Sequence, residues 1–266
     1  MQGRLGSMKP ENLILDASDG VLTITFNRPQ SLNAMTQQTH EELEAVFNMF
    51  AANDSLQVAI VTGAGRAFCA GSDLKSFTLD NAPPYPPHGY AGLIQRHDLL
   101  KPVIAAVNGL AFGGGFEFAL ACDIIVADEN ASFCLAEPKV DLIAIAGGIT
   151  RLVRTVGLKR AMIPLLTARS IPARKGYDLG FVSEVVGDGE ALIRARELAA
   201  EIMACAPLAV RATKDIAYRG LDEPTLADAL KVQATYASFE TWRKSDDARE
   251  GMEAFIEKRP PVWRGR

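Results

Sequence analysis

The sequence predicts an α/β fold that gives way to a helical final stretch, and three observations support this. Short apolar runs rich in β-branched residues recur at 58–62, 103–107 and 124–127, with the length of buried strands. Stretches with apolar residues at helical spacing alternate with them, at 36–51, 116–122, 149–156, 160–166 and 173–179. From about position 190 the helical pattern is nearly unbroken. Strands alternating with helices define the α/β class.

Taken in order, 13–17 and 21–27 flank Ser18-Asp19-Gly20, a hairpin signal. Thr36 is placed to cap the 36–51 helix, whose apolar stripe is Leu43, Val46, Phe47 and Phe50. The small-residue segment 63–75 reads as a loop too long for a simple turn, and so as the lining of something. Residues 81–89, NAPPYPPHG, read as an exposed, flexible loop and a candidate lid. Residues 93–100 read as a helix stopped by Pro102, 131–135 as a short strand, and 181–186 as another. Helices are expected at 191–205, 208–219 and 246–257, with one long helix over 224–243 that carries Pro224 in its first turn.

A chain of 266 residues, 48% hydrophobic and 23% charged, has the material for one sizeable core. A mixed core over 8–200 and a helical region over 201–266 are the expected division; residues 1–7 read as a tag remnant, with Met8 the natural start. A net charge of −4 with mixed signs leaves no electrostatic footprint for nucleic acid or an anionic membrane. No apolar run approaches the roughly 18 residues needed to span a bilayer, and the N-terminus lacks a signal-peptide core. Cys69, Cys122, Cys134 and Cys205 lack metal-ligand spacing and read as small buried hydrophobes in a reducing cytoplasm. Cys69 lies nearest the candidate site, where a thiol could react. His40, His88 and His97 are isolated, read as surface or helix-flank residues, and form neither a triad nor a metal cluster.

The stretch 103–123, VIAAVNGLAFGGGFEFALACD, carries the strongest functional signal. A strand leads to Gly113, Gly114 and Gly115 and then to a helix apolar almost everywhere except Glu117. A buried carboxylate needs compensation or holds a proton. Glu117 follows Gly114 by three residues, so the two share a helix face about 5 Å apart. Free amides at a helix start attract negative charge, and glycine admits a ligand to the backbone. Three glycines alone make a flexible turn, and a lone Glu can serve as an ion-pair partner. Together they favour a site.

With Asn27-Arg28-Pro29, Asn33-Ala34, Ala136-Glu137, Gly147-Gly148 and the segments 63–75, 101–123 and 257–266, the chain resembles the enoyl-CoA hydratase/isomerase (crotonase) family from about position 13 to its end. Gly114-Gly115-Phe116-Glu117 and Ala131-Ser132-Phe133 are similar to the carnitinyl-CoA dehydratase branch. The resemblance implies a crotonase-like spiral of ββα turns, the spiral also shared by Clp-type peptidases, and a C-terminal helical region that drives assembly into trimers or dimers of trimers. It implies an oxyanion hole at the amides of Ser72 and Gly114 and catalytic carboxylates at Glu117 and Glu137. It also implies an acyl-CoA thioester running past Ala34, Ala70, Ser72, Asp73, Leu74 and Lys75, with Gly113 and Ile145 beside its acyl end. CoA arrives as part of the substrate, and no metal or redox cofactor is expected.

The reaction so implied is reversible addition of water to a 2,3-enoyl thioester. Glu117 would orient and deprotonate the water, and Glu137 would supply the proton. Dehydration of a carnitinyl-type ester, Δ3–Δ2 isomerisation, thioester hydrolysis and a non-catalytic acyl-CoA scaffold are the other readings. Two features depart from the family pattern. Ile145 takes a position usually held by glycine and is expected to narrow the pocket or shift the backbone. Pro138 is expected to hold Glu137 toward an extended backbone.

Overall fold

The computed structural model describes residues 9–75 and 84–266. The expectations for residues 1–7 and for positions 81–83 of the proline-rich loop lie outside the described residues. The hairpin forms as expected: β1 (Leu13–Ser18) pairs antiparallel with β2 (Val21–Phe26). Asp19 and Gly20 at its tip both take positive φ, 50° and 81°, as a tight two-residue hairpin loop requires. Helix α1 (Gln37–Ala52) starts at Thr36, whose side chain accepts from the Thr39 amide in a reciprocal capping box. Leu43, Val46, Phe47 and Phe50 are its buried stripe.

The middle of the chain is a repeated motif. The strands β3 (Val58–Gly63) and β4 (Ala67–Cys69), then β5 (Val103–Val107) and β6 (Leu110–Phe112) with helix α2 (Gly114–Ala121), then β7 (Ile124–Asp128) and β8 (Ser132–Cys134) follow one another. Next come α3 (Gly148–Val156), α4 (Leu158–Thr167), β9 (Ile171–Pro172), α5 (Ala173–Leu179), β10 (Glu184–Val186) and α6 (Ala191–Met203). A six-stranded sheet has the order β1-β2-β3-β5-β7-β10, parallel except at the hairpin; a four-stranded one has the order β4-β6-β8-β9. Three times the chain lays one strand in the large sheet and the next in the small one. That repeat is the ββ part of the spiral of ββα turns which the resemblance implied. Strands β4 and β6 correct the reading of 63–75 as all loop and of the stretch between Val107 and the three glycines as loop. At three residues each they are too short to show a periodicity.

The central strands of the large sheet, β3, β5 and β7, are buried on both faces and so read as unbroken apolar runs. Val58, Ile60, Ile104, Ala106 and Val126 meet Ala191, Ala195 and Ala199 of α6. Ala59, Val61, Ala105 and Ala127 face the main core, with Phe26, Phe68, Phe116, Phe118 and Phe133. Asp128 ends β7 as a buried carboxylate and accepts from the amides of Gly189 (2.9 Å) and Ala191 (2.8 Å), which fixes the start of α6. Asp128→Ala is expected to strand both amides and cost about 2–4 kcal/mol, read as a lowered denaturation midpoint at unchanged slope.

The last helices are α7 (Pro207–Gly220), α8 (Leu226–Val232), α9 (Ala237–Arg243) and α10 (Asp246–Glu257). The single long helix expected over 224–243 is corrected to α8, a 3₁₀ turn and α9. Thr225, not Pro224, opens α8 by capping the Asp228 amide, and Tyr236 is extended (φ −69°, ψ 142°). The helix expected over 93–100 is also absent; a 3₁₀ turn, Tyr90–Gly92, and further turns take its place. Ala91 and Gly92 adopt positive φ, which interrupts any helix, and the segment is held instead by side chains of α1. The strand expected over 181–186 shortens to Glu184–Val186, with Phe181 and Val182 buried before it. Two readings of polar side chains change as well: His40 is buried rather than on the surface, and Cys205 is exposed while the other three thiols are buried.

Candidate active site

The candidate site is built where three neighbouring parallel strands end. In the small sheet β4 pairs with β6 and β6 with β8, so the segments leaving Cys69, Phe112 and Cys134 emerge side by side. The first carries Ala70, Gly71 and Ser72, the second Gly113, Gly114 and Glu117, and the third Glu137. Residues separated by 65 positions in the chain therefore meet at the carboxyl edge of one sheet, a common place for ligands in parallel sheets.

The backbone there is tightly fitted. Gly71 has φ +95°, and a Cβ on it would stand 3.0 Å from the Gly114 nitrogen, so the two segments touch main chain to main chain. Met35 donates to Gly71 O (2.7 Å), and Asp73 donates to Met35 O (2.8 Å). That pairing uses the amide after Ser72 and leaves the Ser72 N–H on the opposite edge of the strand. Among the described residues neither the Ser72 nor the Gly114 amide has a protein acceptor. The loop bearing Ser72 is pinned by Arg28, whose guanidinium reaches Asp73 (3.0 Å) and the carbonyl of Ala34. Asn33, at positive φ, accepts from Arg28 N–H and donates to the carbonyls of Ala64 and Ala67. So Ala34, Ala70, Ser72 and Asp73 come together. Leu74 is 52% exposed, and Lys75 is exposed beside it.

The two carboxylates are buried differently. Glu117, one turn into α2, is 3% exposed and its Oε1 accepts from the Gly148 amide (2.9 Å). A Cβ on Gly148 would lie 2.6 Å from Glu117 Cγ, so glycine there permits the contact. Burial pushes the Glu117 carboxyl up to about 7; the Gly148 amide opposes this, and the charge of Glu137 adds to it. Glu137 opens a short 3₁₀ helix, Glu137–Val140, which corrects the extended backbone expected before Pro138; the proline sits in the tolerated first turn. Its Oε1 lies 3.0 Å from where a Gly113 Cβ would be, and its Oε2 is buried with no hydrogen-bond partner among the described residues. Burial raises its carboxyl above the usual range as well. Cys69 is pushed up to about 12 by burial, which keeps it a thiol and removes its promise as a nucleophile.

A family model described as enoyl-CoA hydratase/isomerase matches residues 16–266. The chain belongs to the enoyl-CoA hydratase/isomerase family. This hydratase/isomerase homologue is 42% identical to the carnitinyl-CoA dehydratases of Escherichia coli K12 and Proteus mirabilis HI4320 over 261 residues, covering 96% of this chain and 99% of each relative. It superposes on an enoyl-CoA hydratase from Mycobacterium tuberculosis H37Rv with a TM-score of 0.90 at 36% identity, covering 97% of this chain and 100% of that one. A probable enoyl-CoA hydratase/isomerase from Mycobacterium abscessus gives 0.88 at 39%, with the same coverage. The crotonase fold is thereby established.

In this family member Ile145 is 83% exposed. The sequence reading missed the aromatic wall. Tyr90 is buried against Gly114, with the rings of His40 and Tyr85 packed edge-on to it at 4.4 and 5.3 Å. A signal existed in α1, where His40, Glu44 and Asn48 recur every four residues beside the apolar stripe. Among the described residues no group of three or more His, Cys, Asp or Glu is arranged to hold a metal.

Proposed function

We propose that this protein is an enoyl-CoA hydratase-type hydro-lyase, adding water reversibly across the 2,3-double bond of an acyl-CoA thioester. One observation carries the reading: a buried and a half-buried carboxyl, both with raised proton affinity, lie beside two backbone amides that have no protein acceptor among the described residues. Addition at C3 drives negative charge onto the thioester oxygen as an enolate forms. The amides of Ser72 and Gly114, the latter at the start of α2, oppose that cost, and losing one such donor costs roughly 3–4 kcal/mol in other enzymes. The pair shares a proton, and in the arrangement that leaves Glu117 ionised and Glu137 protonated, Glu117 takes a proton from the water that attacks C3 while Glu137 gives one to C2; the two carboxyls then exchange their proton through solvent. The thioester passes Ala34, Ala70, Ser72, Asp73, Leu74 and Lys75, with Gly113 and Ile145 at the acyl end. CoA comes with the substrate, and the chemistry calls on no other cofactor.

Two carboxyls at the site favour hydration over Δ3–Δ2 isomerisation, for which one suffices. The relatives named carnitinyl-CoA dehydratase favour the same chemistry run as loss of a β-substituent. The large exposed apolar side chains of 201–266, Leu226, Leu230, Phe255 and Ile256 among them, favour its role as the interface of a trimer or dimer of trimers. The cytoplasm is the compartment that goes with this metabolism. Among the described residues no helix is long and apolar enough to cross a membrane. Incubation with crotonyl-CoA is expected to bleach the conjugated enoyl absorbance and yield 3-hydroxybutyryl-CoA. Turnover of a 3-enoyl-CoA alone, without hydration, would favour the isomerase.

A further inference from the structure

Tyr90 is built into the site more firmly than a rim residue requires. It is 4% exposed, and its hydroxyl lies 3.1 Å from Ser72 Oγ. A Cβ on Gly114 would collide with the same hydroxyl, so the phenol tip rests on the residue that carries the second free amide. The segment holding it is fastened to one face of α1 by three polar contacts. His40 Nδ1 accepts from the Ala91 amide (3.1 Å), Glu44 Oε1 contacts His88 Nδ1 (2.7 Å), and Asn48 Oδ1 accepts from Arg96. Ala91 is kept at φ 56°, a conformation a non-glycine residue adopts only when its surroundings enforce it.

A structural role would need only that the phenol be satisfied. The hydroxyls of Ser72 and Tyr90 bring two protons, and their mutual bond uses one. Among the described residues neither hydroxyl has a second protein acceptor, so one O–H at the corner shared by Ser72 and Gly114 is left to point at whatever occupies it.

We propose that the Tyr90 hydroxyl is a third hydrogen-bond donor to the thioester oxygen, with the Ser72 hydroxyl donating to Tyr90 behind it. The inference rests on the acyl-CoA reading of the site. As the enolate forms, Oη–H turns to the oxygen while Ser72 Oγ–H feeds the phenol oxygen; no proton is transferred, and the bonds only shorten as charge grows. Burial keeps the phenol proton well above its usual range, so Tyr90 remains a donor throughout.

The test is Tyr90→Phe, with Ser72→Ala as the second variant, each assayed with crotonyl-CoA and titrated with 2,4-hexadienoyl-CoA. The absorbance band of that thioester moves to the red when its carbonyl is polarised. Tyr90→Phe is expected to lower kcat roughly 10- to 100-fold with KM within about two-fold, and to shrink the red shift. Ser72→Ala, which leaves the phenol in place, is expected to do the same to a smaller degree. Wild-type kcat and a full red shift in Tyr90→Phe overturn the role of Tyr90 while the oxyanion hole stands. A wild-type enzyme that binds the dienoyl thioester with no red shift overturns the oxyanion hole itself, and Tyr90 with it.

Discussion

Glu117→Gln is expected to lower hydration of a 2-enoyl-CoA by about 10³-fold or more, without unfolding the protein. Glutamine has the same shape, and its amide oxygen can still accept from the Gly148 amide at the start of α3. What it cannot do is take a proton from water. The same substitution has a stability signature of definite sign. The folded-state value of Glu117, about 7, lies above the ordinary 4.5, so the folded protein binds the proton more tightly than the unfolded chain. Wild-type stability therefore falls as pH rises from about 4.5 to about 7, and glutamine removes that fall. Above neutrality the variant is expected to melt higher than wild type, and below pH 4 to match it within the difference of the two side chains. A variant that melts higher yet hydrates crotonyl-CoA at the wild-type rate would leave Glu117 a buried acid with no catalytic task.

How far the sequence announces this site depends on which contacts are local. Gly114 and Glu117 are one helical turn apart, so their shared face is legible from spacing alone. Glu137 is legible only by resemblance, because what brings it to Gly113 is the pairing of β6 with β8, two three-residue strands without a pattern of their own. The hairpin and α1 declare themselves through Asp19-Gly20 and Thr36, whose local chemistry decides the backbone. The failures at 93–100 and 224–243 share the opposite cause. Helix-forming composition there is overridden by tertiary contacts: Ala91 is forced into the left-handed region by the polar face of α1, and Tyr236 is extended between two short helices. The burial of His40 was hidden for the same reason, since its partner is an amide 51 positions away. The Gly148 amide was within reach of the sequence, as half of Gly147-Gly148, but nothing in that pair says which side chain it will hold.

Glu137→Gln is expected to have an effect comparable to Glu117→Gln on hydration, again about 10³-fold, because the proton for C2 is lost. Its more telling consequence lies in the partner. Burial dominates the raised proton affinity of Glu117, and the charge of Glu137 contributes a smaller share in the same direction. Removing that charge is expected to move the Glu117 carboxyl downward. Isotope-edited infrared or carbon-detected NMR titration of Glu117 reads this directly and does not depend on residual activity. The buried Oε2 of Glu137, without a partner among the described residues, makes the pair sensitive to what fills the space beside it. An unreactive thioester, bound with its carbonyl on the Ser72 and Gly114 amides, excludes water and is expected to raise both carboxyls further. A Glu117 titration left unmoved by Glu137→Gln would mean that the two carboxyls do not share a field. Base and acid would then have to be sought in separate places, and the division of labour between them would fail even with the fold intact.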